Sequence, residues 1–136
     1  MAKYKFLEHT ADVKFTAEGK TLEEAFSNAA YALRETMTKG ERINSREKKK
    51  INVNGRDFES LLYNFLEEFL FLFDSEGFVL SKINKLKIKD KNLECEASGD
   101  NRKKYRISND VKAVTYNEMF VKKEKSKWIV QVVLDV

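Results

Sequence analysis

Phe58-Glu59-Ser60-Leu61-Leu62-Tyr63-Asn64-Phe65-Leu66-Glu67-Glu68-Phe69-Leu70-Phe71-Leu72-Phe73 is the stretch on which the reading of the fold turns. Phe58, Leu61, Leu62, Phe65, Leu66, Phe69, Leu70 and Phe73 recur at helical spacing, so the segment reads as an amphipathic helix. Its apolar face is broader than one packing surface needs, which implies cover on more than one side. Asp57 stands where an N-cap belongs, and Ser75-Glu76-Gly77 supplies a stop. Beyond Gly77 the period changes from helical to two: Leu86 and Ile88, then Leu93, Cys95 and Ala97 across an Asp90-Lys91-Asn92 turn. Residues 111–116, 119–122 and 128–136 read as further strands, the last two joined by a Glu124-Lys125-Ser126-Lys127 turn.

Upstream, residues 5–8 look extended, and Val13, Phe15 and Ala17 alternate with Lys14, Thr16 and Glu18 as in a half-buried strand. After Gly19-Lys20, the sequence Thr21-Leu22-Glu23-Glu24 has capping-box spacing. Leu22, Ala25, Phe26, Ala29, Leu33 and Met37 then mark one helical face, and Gly40 can end it. A charge run at 46–50 precedes Ile51-Asn52-Val53, a strand entering an Asn54-Gly55 turn. The sum is an α+β fold: one domain over residues 1–136, largely antiparallel β-sheet with two amphipathic helices packed on it, in the order β-α-β-α and then a run of antiparallel strands.

The chain has 136 residues, enough for one core. Lys and Arg number 26 against 22 Asp and Glu; the net +4 tolerates an RNA or acidic protein partner without demanding one. The single cysteine, Cys95, excludes an internal disulfide and a cysteine-based zinc site, and fits a reducing cytosol. Glu67, Glu68 and Asp74 interrupt the greasiest region before membrane-spanning length, and Met1-Ala2-Lys3-Tyr4 lacks a signal-peptide core. The expectation is a soluble cytoplasmic protein.

The residues give little equipment for catalysis. One histidine, His9, is available for a Ser-His-Asp triad, but no serine lies in a nucleophile elbow. No glycine-rich phosphate loop is present, and Cys95 shares an apolar face with Leu93 and Ala97, where a thiol is inert. The carboxylates near the two ends say more. Asp12 stands at a loop-to-strand junction, where it can ligate a cation or bond local amides. Asp135 ends the last strand with a free carboxylate behind it, and reads either as a ligand or as an exposed strand end. His9 fits a ligand, a proton carrier or a hydrogen-bonding loop residue. The basic runs 46–50 and 102–106 can touch phosphate or simply solvate strand edges.

Four blocks carry a family resemblance. Phe6-Leu7-Glu8-His9-Thr10-Ala11-Asp12 with Gly19-Lys20-Thr21-Leu22-Glu23-Glu24-Ala25-Phe26 resembles the opening of archease. Leu61-Leu62 through Leu72-Phe73-Asp74-Ser75-Glu76-Gly77-Phe78, Val111-Lys112-Ala113-Val114-Thr115-Tyr116, and Val133-Leu134-Asp135-Val136 resemble its later motifs in the same order. Residues 82–108 match no motif.

The resemblance implies an accessory protein rather than an enzyme. Archeases activate RtcB, the GTP- and divalent-metal-dependent RNA ligase of tRNA splicing and RNA repair, by promoting its guanylylation and multiple turnover. It further implies metal binding by Asp12, Asp135 and the main-chain carbonyl of Val136, with calcium, magnesium or manganese as the ion. Lys112 falls on a basic position linked to activation, and His9 belongs to the Asp12 motif. RNA contact is then expected through the ligase, with no membrane involved. One departure is visible: relatives commonly carry His where this chain has Asn117. The readings that stand beside this one are an independent RNA-binding or chaperone-like module, and a small metal-dependent hydrolase using Asp12, Asp135 and His9.

Overall fold

A computed structural model describes residues 3–9 and 11–136. Met1 and Ala2, from the N-terminal stretch read above, and Thr10, from the His9–Asp12 motif, lie outside the described residues. The order of elements is β1 (Tyr4–Leu7), β2 (Val13–Gly19), α1 (Leu22–Thr38), β3 (Glu47–Asn54), α2 (Phe58–Glu76), β4 (Phe78–Lys89), β5 (Asn92–Asn101), β6 (Ala113–Glu124) and β7 (Lys127–Asp135), with a short 3₁₀ turn at Arg102–Lys104. The α+β expectation holds, and the strands divide into two antiparallel sheets. One has the order β1-β2-β7-β6 and the other β3-β5-β4.

Both helix starts follow from local chemistry. Thr21 Oγ1 accepts from the Glu24 amide at 3.0 Å, and Glu24 reaches back to the Lys20 amide at 3.1 Å. Asp57 Oδ1 accepts from the Ser60 amide at 2.7 Å while Ser60 Oγ accepts from the Asp57 amide at 3.2 Å. The ends are made by left-handed residues: Lys39 (φ 45°) after α1 and Gly77 (φ 69°) after α2. Gly40 therefore follows the stop instead of making it, because Lys39 already returns its amide to the Glu35 carbonyl.

The greasy helix α2 packs on β6 of the first sheet and on β3, β4 and β5 of the second, which accounts for its wide apolar face. Phe65, Leu61, Leu62 and Leu66 are fully buried there, and Phe26 of α1 stacks against Phe65. Cys95 lies in this core on β5, and burial pushes its thiol up to about 12, so it stays protonated and inert. The charge run at 46–50 does not end before the strand: residues from Glu47 onward form its first half, pairing with β5 from Glu47↔Gly99 to Asn54↔Asn92. Gly99 is required at that join, since a Cβ would collide with the Val79 carbonyl oxygen and the Phe78 ring. Among the described residues no helix is long and apolar enough to cross a membrane.

One buried carboxylate has a structural duty. Asp100 is 2% exposed; it accepts from the Tyr105 hydroxyl at 2.7 Å and the Asn101 amide at 2.8 Å, and Lys104 lies 3.3 Å away. These partners, Tyr105 first, hold its carboxyl below the usual carboxylate range. The unfolded chain therefore takes up the proton more readily. This contribution is complete above about pH 4, the ordinary aspartate value, and disappears as pH falls through the lower folded value. Asp100→Asn is expected to flatten the acid limb of stability against pH, measured by urea denaturation across that range.

Candidate metal centre

The first sheet brings the two ends of the chain together. β2 and β7 run antiparallel with Val13 opposite Leu134. One step further along that register stand Asp12 on one side and Asp135 on the other. β6 lies on the far side of β7, with Ala113 opposite Asp135, and the Lys112 amide donates to the Asp135 carbonyl at 2.8 Å. Asp12, Asp135 and Lys112 thus occupy neighbouring backbone positions at one end of one sheet. Lys112 is exposed, whereas Asp12, Asp135 and Val136 are half-buried.

The turn into β2 is strained at this point, because Ala11 has φ 69°, a left-handed value that a Cβ disfavours. His9 pins the loop from the other side. Its Nε2 lies 3.0 Å from Glu118 Oε2, and a carboxylate there can only accept, so Nε2 carries the proton. Its Nδ1 is buried without a hydrogen-bond partner and faces Asp12 Oδ2 at 3.8 Å. A cleft of about 330 Å³ opens beside Asp12, bordered by Phe6, Glu35, Lys39 and Asn109.

Sequence reasoning did not single out Glu118. It sits in a bulge between Thr115, which pairs with Val133, and Phe120, which pairs with Gln131. Where two separate strands at 111–116 and 119–122 were expected, the chain makes one strand carrying this bulge. Glu118 itself is left-handed (φ 55°). Its carbonyl accepts from Gln131 Nε2 at 2.8 Å, and its carboxylate accepts from Lys14 Nζ at 3.0 Å as well as from His9. These donors, Lys14 before His9, hold the Glu118 carboxyl below its ordinary value. The break in alternation at 117–118 was the available signal. Asn117 lies in the same bulge, exposed, with its amide donating to Thr115 Oγ1 at 3.3 Å. Its neighbour Tyr116 stacks on Tyr63 of α2 at 4.3 Å.

The donor set suits a hard cation. Two aspartates and a main-chain carbonyl offer oxygen ligands of the kind calcium, magnesium and manganese prefer. Among the described residues no three His, Cys, Asp or Glu side chains converge to hold a metal ion. A bound ion here would need main-chain, water or partner ligands to fill its shell, and a shell of that kind is open to a second molecule.

Comparison with known proteins shows the family and the fold. Residues 4–136 match the model of the Archease protein family. The chain is 37% identical over 140 residues to protein archease of Sulfurisphaera tokodaii and 38% identical over 143 residues to that of Pyrococcus furiosus, with 100% of each chain covered in both cases. The solution structure of Methanobacterium thermoautotrophicum protein 1598 superimposes with a TM-score of 0.85 at 35% identity, covering 100% of both chains. A crystal structure of an archease from Thermotoga maritima, called a possible chaperone, shares the fold with a TM-score of 0.66 at 21% identity, over 97% of this chain and 96% of that one.

Proposed function

The chain belongs to the archease family, and on that premise we propose that it is an accessory protein that activates an RtcB-type RNA ligase in tRNA splicing and RNA repair. The observation that carries this reading is the β2–β7–β6 register, which sets Asp12, Asp135 and Lys112 side by side at one exposed sheet end. Asp12, Asp135 and the carbonyl of Val136 hold a divalent cation. When bound, such an ion neutralises charge on phosphate oxygens and helps align them. The chain's own residues keep the two carboxylates in place, leave the rest of the shell open, and present Lys112 to a carboxylate or phosphate of the partner. The covalent chemistry stays with the ligase, whose guanylylation this contact promotes, and RNA at the reaction centre is held by the ligase. The protein works in the cytoplasm.

The test is a multiple-turnover RNA ligation assay with the cognate ligase, with and without this chain, across GTP and divalent-metal concentrations. Added chain should raise the number of turnovers per ligase. No stimulation under any of those conditions would end the assignment.

Glu118 extends the prediction beyond the family motif residues. It holds His9 and Lys14 together and so fixes the approach of the loop that carries Asp12. Glu118→Ala should weaken divalent-cation binding by about tenfold, the lower end of what loss of an orienting partner costs a metal site. Calorimetric titration with Mn²⁺ measures this directly, and Glu118→Gln should recover part of the loss through its remaining acceptor oxygen.

A further inference from the structure

The second sheet has an outer face that no part of the ligase-activating reading uses. The register of β3, β5 and β4 lays three columns across it. Lys48 and Lys50 stand on β3; Lys82, Lys85, Lys87 and Lys89 stand on β4; Glu94 and Glu96 run between them on β5, in the rows Lys50–Glu96–Lys85 and Asn52–Glu94–Lys87. Six lysines against two glutamates leave this face with the same +4 surplus as the entire chain. All six lysines are exposed, and the ion pair recorded among these groups is Lys48–Glu96 at 3.9 Å. A groove of about 340 Å³ follows the central column, walled by Lys50 on one side and by Lys85 and Lys87 on the other.

We propose that this face is a docking surface for double-helical RNA, read through its backbone. The face carries no aromatic side chain, so it offers unstacked bases no platform and does not suit a single strand. The two lysine columns are two strand spacings apart, about 9.5 Å. That is wider than the roughly 6 Å minor groove of B-form DNA, and it suits a flat approach to the wide, shallow minor groove of an A-form helix with phosphates along both rims. The acidic column, which would repel a phosphate laid along the groove, then faces 2′-hydroxyls, and a carboxylate accepts from those donors. The glutamates thereby favour RNA over DNA while the lysines supply affinity. This inference is independent of the metal centre, which lies on the other sheet.

Fluorescence anisotropy of the full chain with a labelled RNA hairpin of about 16 base pairs, with EDTA present, tests it. With about four phosphates engaged, affinity should fall about a hundredfold between 50 and 200 mM salt. The triple variant Lys50→Gln, Lys85→Gln, Lys87→Gln should reduce the salt slope to about that of one contact. Asp135→Ala should leave binding unchanged. RNA should bind about tenfold more tightly than a DNA hairpin of the same sequence, as expected for two hydrogen bonds to hydroxyls. Glu94→Ala with Glu96→Ala should erase that ratio while tightening both complexes. No binding at 50 mM salt, an unchanged slope in the triple variant, or equal affinity for RNA and DNA would each overturn the proposal. So would tighter binding to a polyglutamate peptide or to anionic vesicles than to RNA.

Discussion

Asp12→Ala and Asp135→Ala should each lower affinity for Mn²⁺ and Ca²⁺ by at least about a hundredfold and abolish stimulation of the partner ligase. In the proposed site each removes one of two hard anionic donors, and the remaining carboxylate cannot alone replace a dication's hydration. The fold should survive both changes. Asp135 is joined to its neighbour through its main-chain carbonyl, which accepts from the Lys112 amide, and that bond does not need the carboxylate. Asp12 lies before the first paired residue of β2. Melting temperatures should therefore stay within a few degrees of the parent, while titration calorimetry and the ligation assay change sharply. Lys112→Ala separates the roles: metal affinity should be kept and stimulation lost. Stimulation that persisted in both aspartate variants would sink the metal mechanism.

Phe65→Ala should be the most damaging single change to stability. Phe65 is fully buried in the middle of α2, stacks on Phe26 at 6.2 Å, and meets Phe69 edge-on at 5.1 Å. Truncation removes ring burial and leaves a void between the helices, which costs about 3–5 kcal/mol. For a domain of this length each kcal/mol moves the midpoint by roughly 3 °C, so Tm should fall by about 10–15 °C. Phe71→Ala on the same helix is the control. Phe71 is 60% exposed, and its loss should shift stability by no more than about 0.5 kcal/mol. Equal effects at the two positions would contradict the packing described for α2.

Features encoded within a few residues were legible in the sequence. Thr21 and Asp57 announced both helix starts, the spacing of Phe58 to Phe73 announced a helix covered on several sides, and alternation placed Cys95 in the core. Features that depend on a distant partner were not. The lysines at 48–50 read as a basic run that could touch phosphate or solvate a strand edge, and only pairing with β5 shows that they lie in the edge strand itself. The bulge around Glu118 exists only relative to Gln131 and Val133, so sequence alone showed it as a gap between two strands. The candidate metal centre divides in the same way. Local chemistry left Asp12 readable as a capping residue and Asp135 as an exposed strand end, the family resemblance named them as ligands, and the β2–β7 register sets their positions side by side.

That register also has a kinetic side. His9 and Glu118, which bond across the centre, are 109 positions apart, and β2 pairs with the final strand. Loop-closure entropy makes such contacts late events in folding, and domains dominated by them fold slowly. During synthesis the helices and the β3-β5-β4 sheet are complete before β7 has left the ribosome, so the second sheet can form while the β2–β7 pairing cannot. A nascent or truncated chain therefore lacks the juxtaposition of Asp12 and Asp135, which forms only when the last strand closes the first sheet.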